Sequence, residues 1–117
     1  MTKESFKDKF SFDKRKTESE KIKKKYEDRI PIIVEKEKSS KLNDIDKTKF
    51  LAPSDLTMGQ FSYVIRKRIE LNEAESLFLF VNNTMITGSS SISAIYNDHK
   101  DEDGFLYITY CSENVFG

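Results

Sequence analysis

The stretch from residue 57 to residue 69 reads TMGQFSYVIRKRI and carries the clearest helix signal in the chain. Thr57 and Gln60 match a capping box, in which the threonine hydroxyl accepts from the Gln60 amide and the glutamine side chain accepts from the Thr57 amide. Apolar residues then recur every three or four positions, while Arg66 and Lys67 fall on the other side. The pattern predicts a helix that begins here and presents one apolar face, made of Met58, Phe61, Val64, Ile65 and Ile69.

Two short strands are predicted before this helix. Residues 30–34 are mostly β-branched, and Pro31 among them has no amide donor, so we expect this strand to lie at an open edge of a sheet. Residues 50–52 indicate a second strand, stopped by Pro53. The polar residues 35–47 between the strands indicate a loop with room for a helical turn.

Further elements are predicted after the helix. Residues 77–81 are an apolar run closed by Asn82-Asn83, which indicates a strand and a turn. Ser91 is placed to cap a short helix with Ile92, Ile95 and Tyr96 facing inward, and a last strand at 105–110 follows the turn residues Asp103-Gly104. The order strand, strand, helix, strand, short helix, strand is typical of an α+β domain. We expect a β-grasp sheet wrapped on one helix.

The N-terminal segment carries a separate pattern. Phe6 and Phe10 lie four residues apart, as do Ile22 and Tyr26, which predicts two short amphipathic helices with a break near residues 11–13. These four side chains are expected to pin the helices to the sheet, while the lysines at 21, 23, 24 and 25 face water. We therefore predict a helical extension at 1–28, a β-grasp domain at 29–111 and a flexible tail at 112–117.

Composition excludes several classes of function. Lys and Arg together number 20 and are balanced by 20 Asp and Glu, so no global field directs the chain to nucleic acid. Cys111 is the sole cysteine and His99 the sole histidine, which argues against a disulfide framework, a cysteine-rich zinc site or a cysteine nucleophile with its base. The sequence also lacks a paired-carboxylate or phosphate-loop motif, so we expect no enzymatic activity, no metal and no cofactor. Without an apolar run long enough to span a membrane, it is expected to be made in the cytosol.

Several ordered stretches resemble the autophagy-related ubiquitin-like family, which includes the yeast modifier and the animal light chain and GABA-receptor-associated branches. The resemblance covers essentially the whole chain. It implies a ubiquitin-like fold with two additional N-terminal helices, and attachment to phosphatidylethanolamine on autophagosomal and on vacuolar or lysosomal membranes. The stretches are Phe12-Asp13-Lys14-Arg15, Arg29-Ile30-Pro31, Asp46-Lys47-Thr48-Lys49-Phe50-Leu51, Gln60-Phe61 with Ile65-Arg66-Lys67-Arg68, Phe78-Leu79-Phe80-Val81-Asn82, Tyr96-Asn97-Asp98-His99-Lys100-Asp101 and Asp103-Gly104-Phe105-Leu106-Tyr107.

The C-terminal residues fit the conjugation chemistry that the resemblance implies. Gly117 would be the reacting end, activated and transferred by the activating and conjugating enzymes of the autophagy system, and Phe116 would be read with it by a cysteine processing protease. A glycine has no Cβ, so an extended end can enter a narrow enzyme groove. The protein would supply the acyl group and no catalytic side chain.

The resemblance also implies a groove for cargo receptors and other partners that carry an aromatic-x-x-aliphatic motif, added as a strand beside the second strand. Ordinary core packing is the alternative explanation for the apolar members of both pockets. The predicted aromatic pocket comprises Glu18, Ile22, Pro31, Ile33, Lys49, Leu51 and Phe105, and the predicted aliphatic pocket Phe50, Ala52, Pro53, Leu56, Phe61, Val64 and Ile65. Acidic residues flanking the motif would pair with Arg29, Lys47, Lys49 and Arg68.

Two alternatives remain open on the sequence. The run Phe78-Leu79-Phe80 resembles a further docking surface for ubiquitin-interacting-type helices, and a buried strand explains it equally well. The chain also carries eleven Lys or Arg against seven Asp or Glu in residues 1–29. A solvated helix face explains that excess, and a non-conjugated trafficking or cytoskeletal adaptor that binds tubulin tails or anionic membrane is the competing function. Such binding would weaken with salt.

Overall fold

A computed structural model describes residues 4–112 of the protein, and these residues form four helices and five strands. The sheet has the order β2-β1-β5-β3-β4, in which β1 and β5 are parallel and the other neighbours antiparallel. The predicted α+β class is confirmed. The elements are α1 (Phe6–Lys9), α2 (Phe12–Lys25), β1 (Arg29–Lys36), β2 (Lys49–Pro53), α3 (Met58–Arg68), β3 (Phe78–Val81), β4 (Thr84–Met85), α4 (Ile92–His99) and β5 (Leu106–Cys111).

Helix α3 begins where the sequence predicts. The Thr57 hydroxyl accepts from the Gln60 amide at 3.1 Å, and the Gln60 side chain accepts from the Thr57 amide at 2.9 Å, which completes the capping box. Most of the predicted apolar face is buried. Val64 is the exception, because its side chain is 37% exposed at the margin of that face.

The main core lies between the inner face of the sheet and helices α3 and α4. Alternate strand residues point into it, as the twofold period of a strand requires. Its buried members include Ile30, Ile32 and Val34 of β1, Phe50 and Ala52 of β2, Leu79 and Val81 of β3, and Leu106, Ile108 and Tyr110 of β5. The predicted α4 contributes Ile92, Ile95 and Tyr96, and its N-cap is Ser91 as predicted.

The predicted edge position of β1 is wrong, because β1 lies between β2 and β5. Val34 donates to the Thr48 carbonyl at 2.8 Å, so every second residue of β1 faces β2, and Pro31 falls on the opposite side. On that side Glu37 donates to the Tyr110 carbonyl at 2.9 Å, and registered pairing with β5 starts only at Ile32. The missing amide donor of Pro31 therefore interrupts neither the hydrogen bonds to β2 nor those to β5. The free edge near it belongs to β2.

Helices α1 and α2 cover part of the outer face of the sheet. Phe6, Ile33 and Phe105 form a small buried cluster there, and Ile22 and Tyr107 pack against it. The prediction that Phe10 and Tyr26 pin the helices is wrong, since both are about two-fifths exposed. Each is the residue after its helix ends, where the backbone is no longer helical and the four-residue spacing no longer selects a face.

Three further details differ from the sequence predictions. The loop after β1 contains a turn in which the Ser40 amide donates to the Glu37 carbonyl at 3.0 Å, and it buries Ile45, which the sequence does not predict. Strand β4 has only two residues, too few for a sequence pattern, and follows Asn82 and Asn83, whose positive φ angles of 51° and 62° suit a tight hairpin turn. Lys23 is half-buried, with its ammonium 5.0 Å from the centre of the Tyr96 ring, instead of facing water.

Candidate functional site

Strand β2 has no neighbouring strand on its outer side within residues 4–112. The backbone N–H and C=O groups of Thr48, Phe50 and Ala52 face β1. Because these groups alternate along a strand, those of Lys49 and Leu51 point away from the sheet. Of these outward groups, the Leu51 carbonyl accepts from the Arg29 guanidinium at 3.4 Å. The edge can thus accept another strand.

The predicted aromatic pocket lies on the outer face of the sheet, between α2 and β2. Ile33 and Phe105 are fully buried there, and Pro31, two residues before Ile33 on the same face of β1, is also buried. Ile22, Leu51 and Glu18 are half-buried along its sides, and Leu51 is opposite Pro31 in the strand register. Lys49, opposite Ile33, forms an ion pair with Glu18 that joins β2 to α2. The structure thus places the seven predicted residues on one face.

The predicted aliphatic pocket lies on the inner side of β2, next to α3. Four of its seven members, Phe50, Ala52, Phe61 and Ile65, are buried in the main core, and the Phe50 and Phe61 rings pack edge to face at 5.5 Å. Leu56 is half-buried, while Pro53 and Val64 are exposed. Only three of the seven predicted residues, Pro53, Leu56 and Val64, therefore offer apolar surface that a ligand could reach.

Positive charge follows the edge. The Lys47 ammonium lies 5.1 Å and the Arg68 guanidinium 5.5 Å from the centre of the Phe50 ring. Arg68 also pairs with Asp46 at 3.4 Å. Each exposed pair of this kind contributes at most about 1 kcal/mol, so these charges adjust binding more than they drive it.

A buried polar network, which the sequence pattern does not predict, attaches α2 to the turn before β5. Asp103 is fully buried, and its carboxylate accepts from the Arg15 guanidinium at 2.6 Å, the Phe105 amide at 2.9 Å and the Tyr107 hydroxyl at 2.5 Å. Burial and the hydrogen bond to Asp103 raise the pKa of the Tyr107 hydroxyl far above its ordinary value. Arg15 and Asp103 both lie in stretches that resemble the family, but nothing in the sequence pairs residues 88 positions apart.

The other residues singled out in the sequence fall away from this site. Leu79 and Phe80 are buried and Phe78 is half-buried, so a buried strand accounts for most of that run. Cys111 is buried, and the His99 ring lies 3.4 Å from the Asn82 side chain.

Residues 4–112 contain no cluster of acidic, histidine or cysteine side chains that could hold a metal ion. Within the same range, no helix has the length and apolar character needed to cross a bilayer. Phe116 and Gly117 lie outside the described residues.

A five-stranded mixed sheet that wraps one principal helix, with its first and last strands parallel at the centre, defines the ubiquitin-like β-grasp class. A family model described as "Autophagy protein Atg8 ubiquitin like" matches residues 14–117. The chain therefore belongs to the Atg8 ubiquitin-like family, and its role is that of an autophagy-related ubiquitin-like modifier with partners in the autophagy system.

Individual relatives agree with this assignment. The chain is 56% identical over 115 residues to Autophagy-related protein 8 of Vanderwaltozyma polyspora, with 98% of each chain covered. It is 57% identical over 112 residues to Autophagy-related protein 8 of Schizosaccharomyces pombe, which covers 96% of this chain and 93% of that protein. The crystal structure of Trypanosoma brucei ATG8 matches with a TM-score of 0.90 and 41% identity, over 99% of this chain and 100% of that one. The family resemblance and the predicted fold are confirmed.

Proposed function

We propose that this modifier is joined through Gly117 to phosphatidylethanolamine on autophagosomal membranes, and that the free edge of β2 recruits partners with aromatic-x-x-aliphatic peptides. The observation that supports the second half is that the residues predicted for the two pockets lie on opposite faces of one edge strand.

A peptide that pairs with β2 would bond to the outward backbone groups of Lys49 and Leu51. Main-chain pairing of this kind supplies affinity without regard to sequence, and side-chain pockets then supply selectivity. Pro53 offers no amide donor, so the ladder should stop at that end of the strand.

The spacing of the motif follows from strand geometry. Successive side chains of an extended peptide point to opposite faces, so residues i and i+3 lie on different faces of the enlarged sheet. The aromatic residue would then enter the outer pocket beside Leu51 and Ile22, while the aliphatic residue reaches the inner side beside Leu56 and Val64. If the aromatic and aliphatic residues were two or four positions apart, both side chains would point to the same face of the sheet.

The test of the peptide site compares anchor spacings and one truncation. Titration calorimetry should show that aromatic-x-aliphatic and aromatic-x-x-x-aliphatic peptides bind roughly tenfold or more weakly than the aromatic-x-x-aliphatic peptide, because one anchor then loses its pocket. Leu51→Ala should cost about 1–3 kcal/mol of binding free energy, as expected for a central contact. Met85→Ala, an exposed apolar residue on the opposite edge, serves as the control. Equal affinity for all three spacings would refute strand addition at β2.

For conjugation, we infer that the Gly117 carboxylate reacts with ATP to give an acyl adenylate and pyrophosphate. A cysteine thiolate of the activating enzyme would displace AMP, a conjugating-enzyme cysteine would take over the thioester, and the lipid amine would displace that thiol to form an amide. The protein, made in the cytosol, would then be anchored on autophagosomes and on vacuolar or lysosomal membranes. Where the family's chains extend past the glycine, the cysteine protease that reads Phe116 would first expose it.

Conjugation is tested by intact mass after reconstitution with the activating and conjugating enzymes and vesicles that contain phosphatidylethanolamine. The expected product carries the mass of one lipid less one water. Gly117→Ala should abolish it, whereas Ser112→Ala, in the same segment, should not. A lipid adduct on the Gly117→Ala protein would show that the acyl donor lies elsewhere.

The surface of α2 supports a second candidate function. Lys21, Lys24 and Lys25 are exposed, and no ion pair involves them within the described residues. A basic helix face of this kind suits an adaptor that binds acidic surfaces such as tubulin tails. Its binding would be independent of Gly117 and would weaken as salt is added.

A further inference from the structure

The turn at Asp103-Gly104 meets helix α2 at a distance that only glycine permits. Gly104 has a φ of +90°, and a Cβ built on it would lie 3.1 Å from the Ser19 Cβ and closer still to the Ser19 hydroxyl oxygen. Ser19 is buried, and its hydroxyl donates to the Asp103 carbonyl. Helix α2 therefore rests directly on the backbone of this turn.

Two successive turns of α2 are fixed at the same place. Arg15 and Ser19 are four residues apart and share a helix face. Arg15 bonds to the Asp103 carboxylate and Ser19 to the Asp103 carbonyl. Because both contacts are buried, this turn holds α2 over the sheet in addition to the more exposed Lys49–Glu18 ion pair between α2 and β2.

The same helix carries one wall of the outer pocket. Glu18 directly precedes Ser19, and Ile22 follows it by three residues and packs against the buried outer cluster that includes Ile33 and Phe105. Phe105 is the next residue after Gly104, and its amide donates to Asp103 at 2.9 Å. Since packed helices move as stiff bodies, a shift at Ser19 would reach Glu18 and Ile22.

We propose that the Asp103-Gly104 turn is a positioning element for peptide recognition, which sets the gap between α2 and β2 and thereby the fit of the aromatic anchor. This rests on the proposed peptide-binding function. The turn touches no peptide itself. Its effect should appear as a loss of discrimination for the aromatic residue, with the aliphatic side of the groove unaffected.

The test uses Gly104→Ala with Gly88→Ala as its matched control. A Cβ at position 88 would meet only the Gly59 backbone at 3.6 Å or more, an ordinary contact away from α2. Gly104→Ala should weaken binding of an aromatic-x-x-aliphatic peptide roughly tenfold, because one added methyl group displaces the packed helix. The same variant should change binding of the peptide with alanine at the aromatic position by less than about twofold, since that peptide does not use the outer pocket. Gly88→Ala should leave both affinities unchanged.

A second readout and a second variant separate positioning from unfolding. NMR spectra of the unliganded Gly104→Ala protein should show shifts at Glu18 and Ile22, and thermal melts should show whether it folds. Ser19→Ala, which removes one hydroxyl and adds no bulk, should produce a smaller loss with the same dependence on the aromatic residue. If both variants bind the aromatic peptide like the wild type, or lose both peptides equally, the positioning role is overturned. If the wild type binds no such peptide, the proposed function itself fails.

Discussion

Within residues 4–112, the inner face of the sheet packs against α3 and α4 through a cluster of eighteen buried apolar residues. On the outer face the buried apolar cluster has only three residues, and polar contacts such as the buried Arg15–Asp103 ion pair help to hold α1 and α2. Apolar burial is non-directional and is spread over many contacts. The polar attachment depends on each partner being present, because a buried group that loses its partner keeps the full cost of desolvation. The N-terminal helices are therefore the region that a single change can detach, and the inner core is the region that must unfold as a whole.

The largest effect should come from the inner core. Phe61 is almost fully buried and packs on Phe50, so Phe61→Ala should lower the free energy of unfolding by about 3–5 kcal/mol through lost burial and the cavity left behind. Chemical denaturation measures this. Tyr63→Ala, on the same helix at a 58% exposed position, should cost less than about 0.5 kcal/mol. Similar losses for the two variants would mean that α3 does not pack as described.

A smaller and more local effect is expected from Asp103→Ala. The change leaves the Arg15 guanidinium without its buried partner and removes the acceptor of the Phe105 amide, at a cost of about 2–4 kcal/mol. Hydrogen exchange should show that amides of α2 lose protection while those of α3 keep theirs. Asp46→Ala, which breaks only an exposed pair with Arg68, is the control. Equal loss of protection in both helices would show that the two faces unfold together.

Alkaline pH should weaken the inner core through Tyr110. Burial raises the pKa of its hydroxyl to about 12, and that hydroxyl donates to the Asn43 carbonyl at 2.7 Å. An unfolded tyrosine ionises near pH 10, so the contribution of Tyr110 is complete below about pH 10 and is lost as the pH rises through 12. Denaturation between pH 9 and 12 should therefore show falling stability.

Tyr110→Phe provides the comparison for that titration. The variant should be less stable at neutral pH by about 1 kcal/mol, because the Asn43 carbonyl loses its donor. Its stability should also decline less steeply between pH 10 and 12. A slope identical to that of the wild type would assign the alkaline effect to other groups, among them Tyr107 on the outer face.

The smallest effect concerns the exposed charges of α2. Reversing Lys24 and Lys25 to Glu should change the free energy of unfolding by less than about 0.5 kcal/mol and peptide affinity by less than about twofold, since exposed charges are screened. Lys23 is left intact because it packs on Tyr96. Loss of peptide binding on charge reversal, restored by a change in salt, would favour the adaptor function over the groove.

The same contrast explains what the sequence could predict. The sequence near each helix is enough to predict where α3 begins and which of its faces is apolar, because the capping box and the apolar spacing agree. It is also enough to predict the inward residues of α4. It fails for Phe10 and Tyr26, because four-residue spacing predicts a shared face only while the helix continues. The edge prediction from Pro31 is wrong because a missing amide donor shows only that one side of the residue is unpaired. An internal strand can also have such a side, here because the pairing of β1 with β5 starts at Ile32, one residue after Pro31.

The candidate site was predictable as a set of residues but not as a shape. The residues predicted for the two pockets come from stretches that resemble the family, and the structure places those residues on opposite faces of β2. Their accessibility depends on long-range packing, so the sequence could not separate the exposed Val64 from the buried Ile65 beside it. The attachment of α2 was missed for the same reason, since Arg15 and Asp103 meet only after the sheet has formed.

The parallel pairing of β1 with β5 has a consequence for biosynthesis. The sheet joins residues 32–36 to residues 106–110, so its centre cannot close until the ribosome has released the segment that includes β5. Until then the emerging β1 would expose an isoleucine-rich edge with no partner on one side. Pairing between strands so far apart in sequence slows folding and prolongs exposure to aggregation. We therefore expect chaperones to protect this chain mainly between the translation of β1 and the translation of β5.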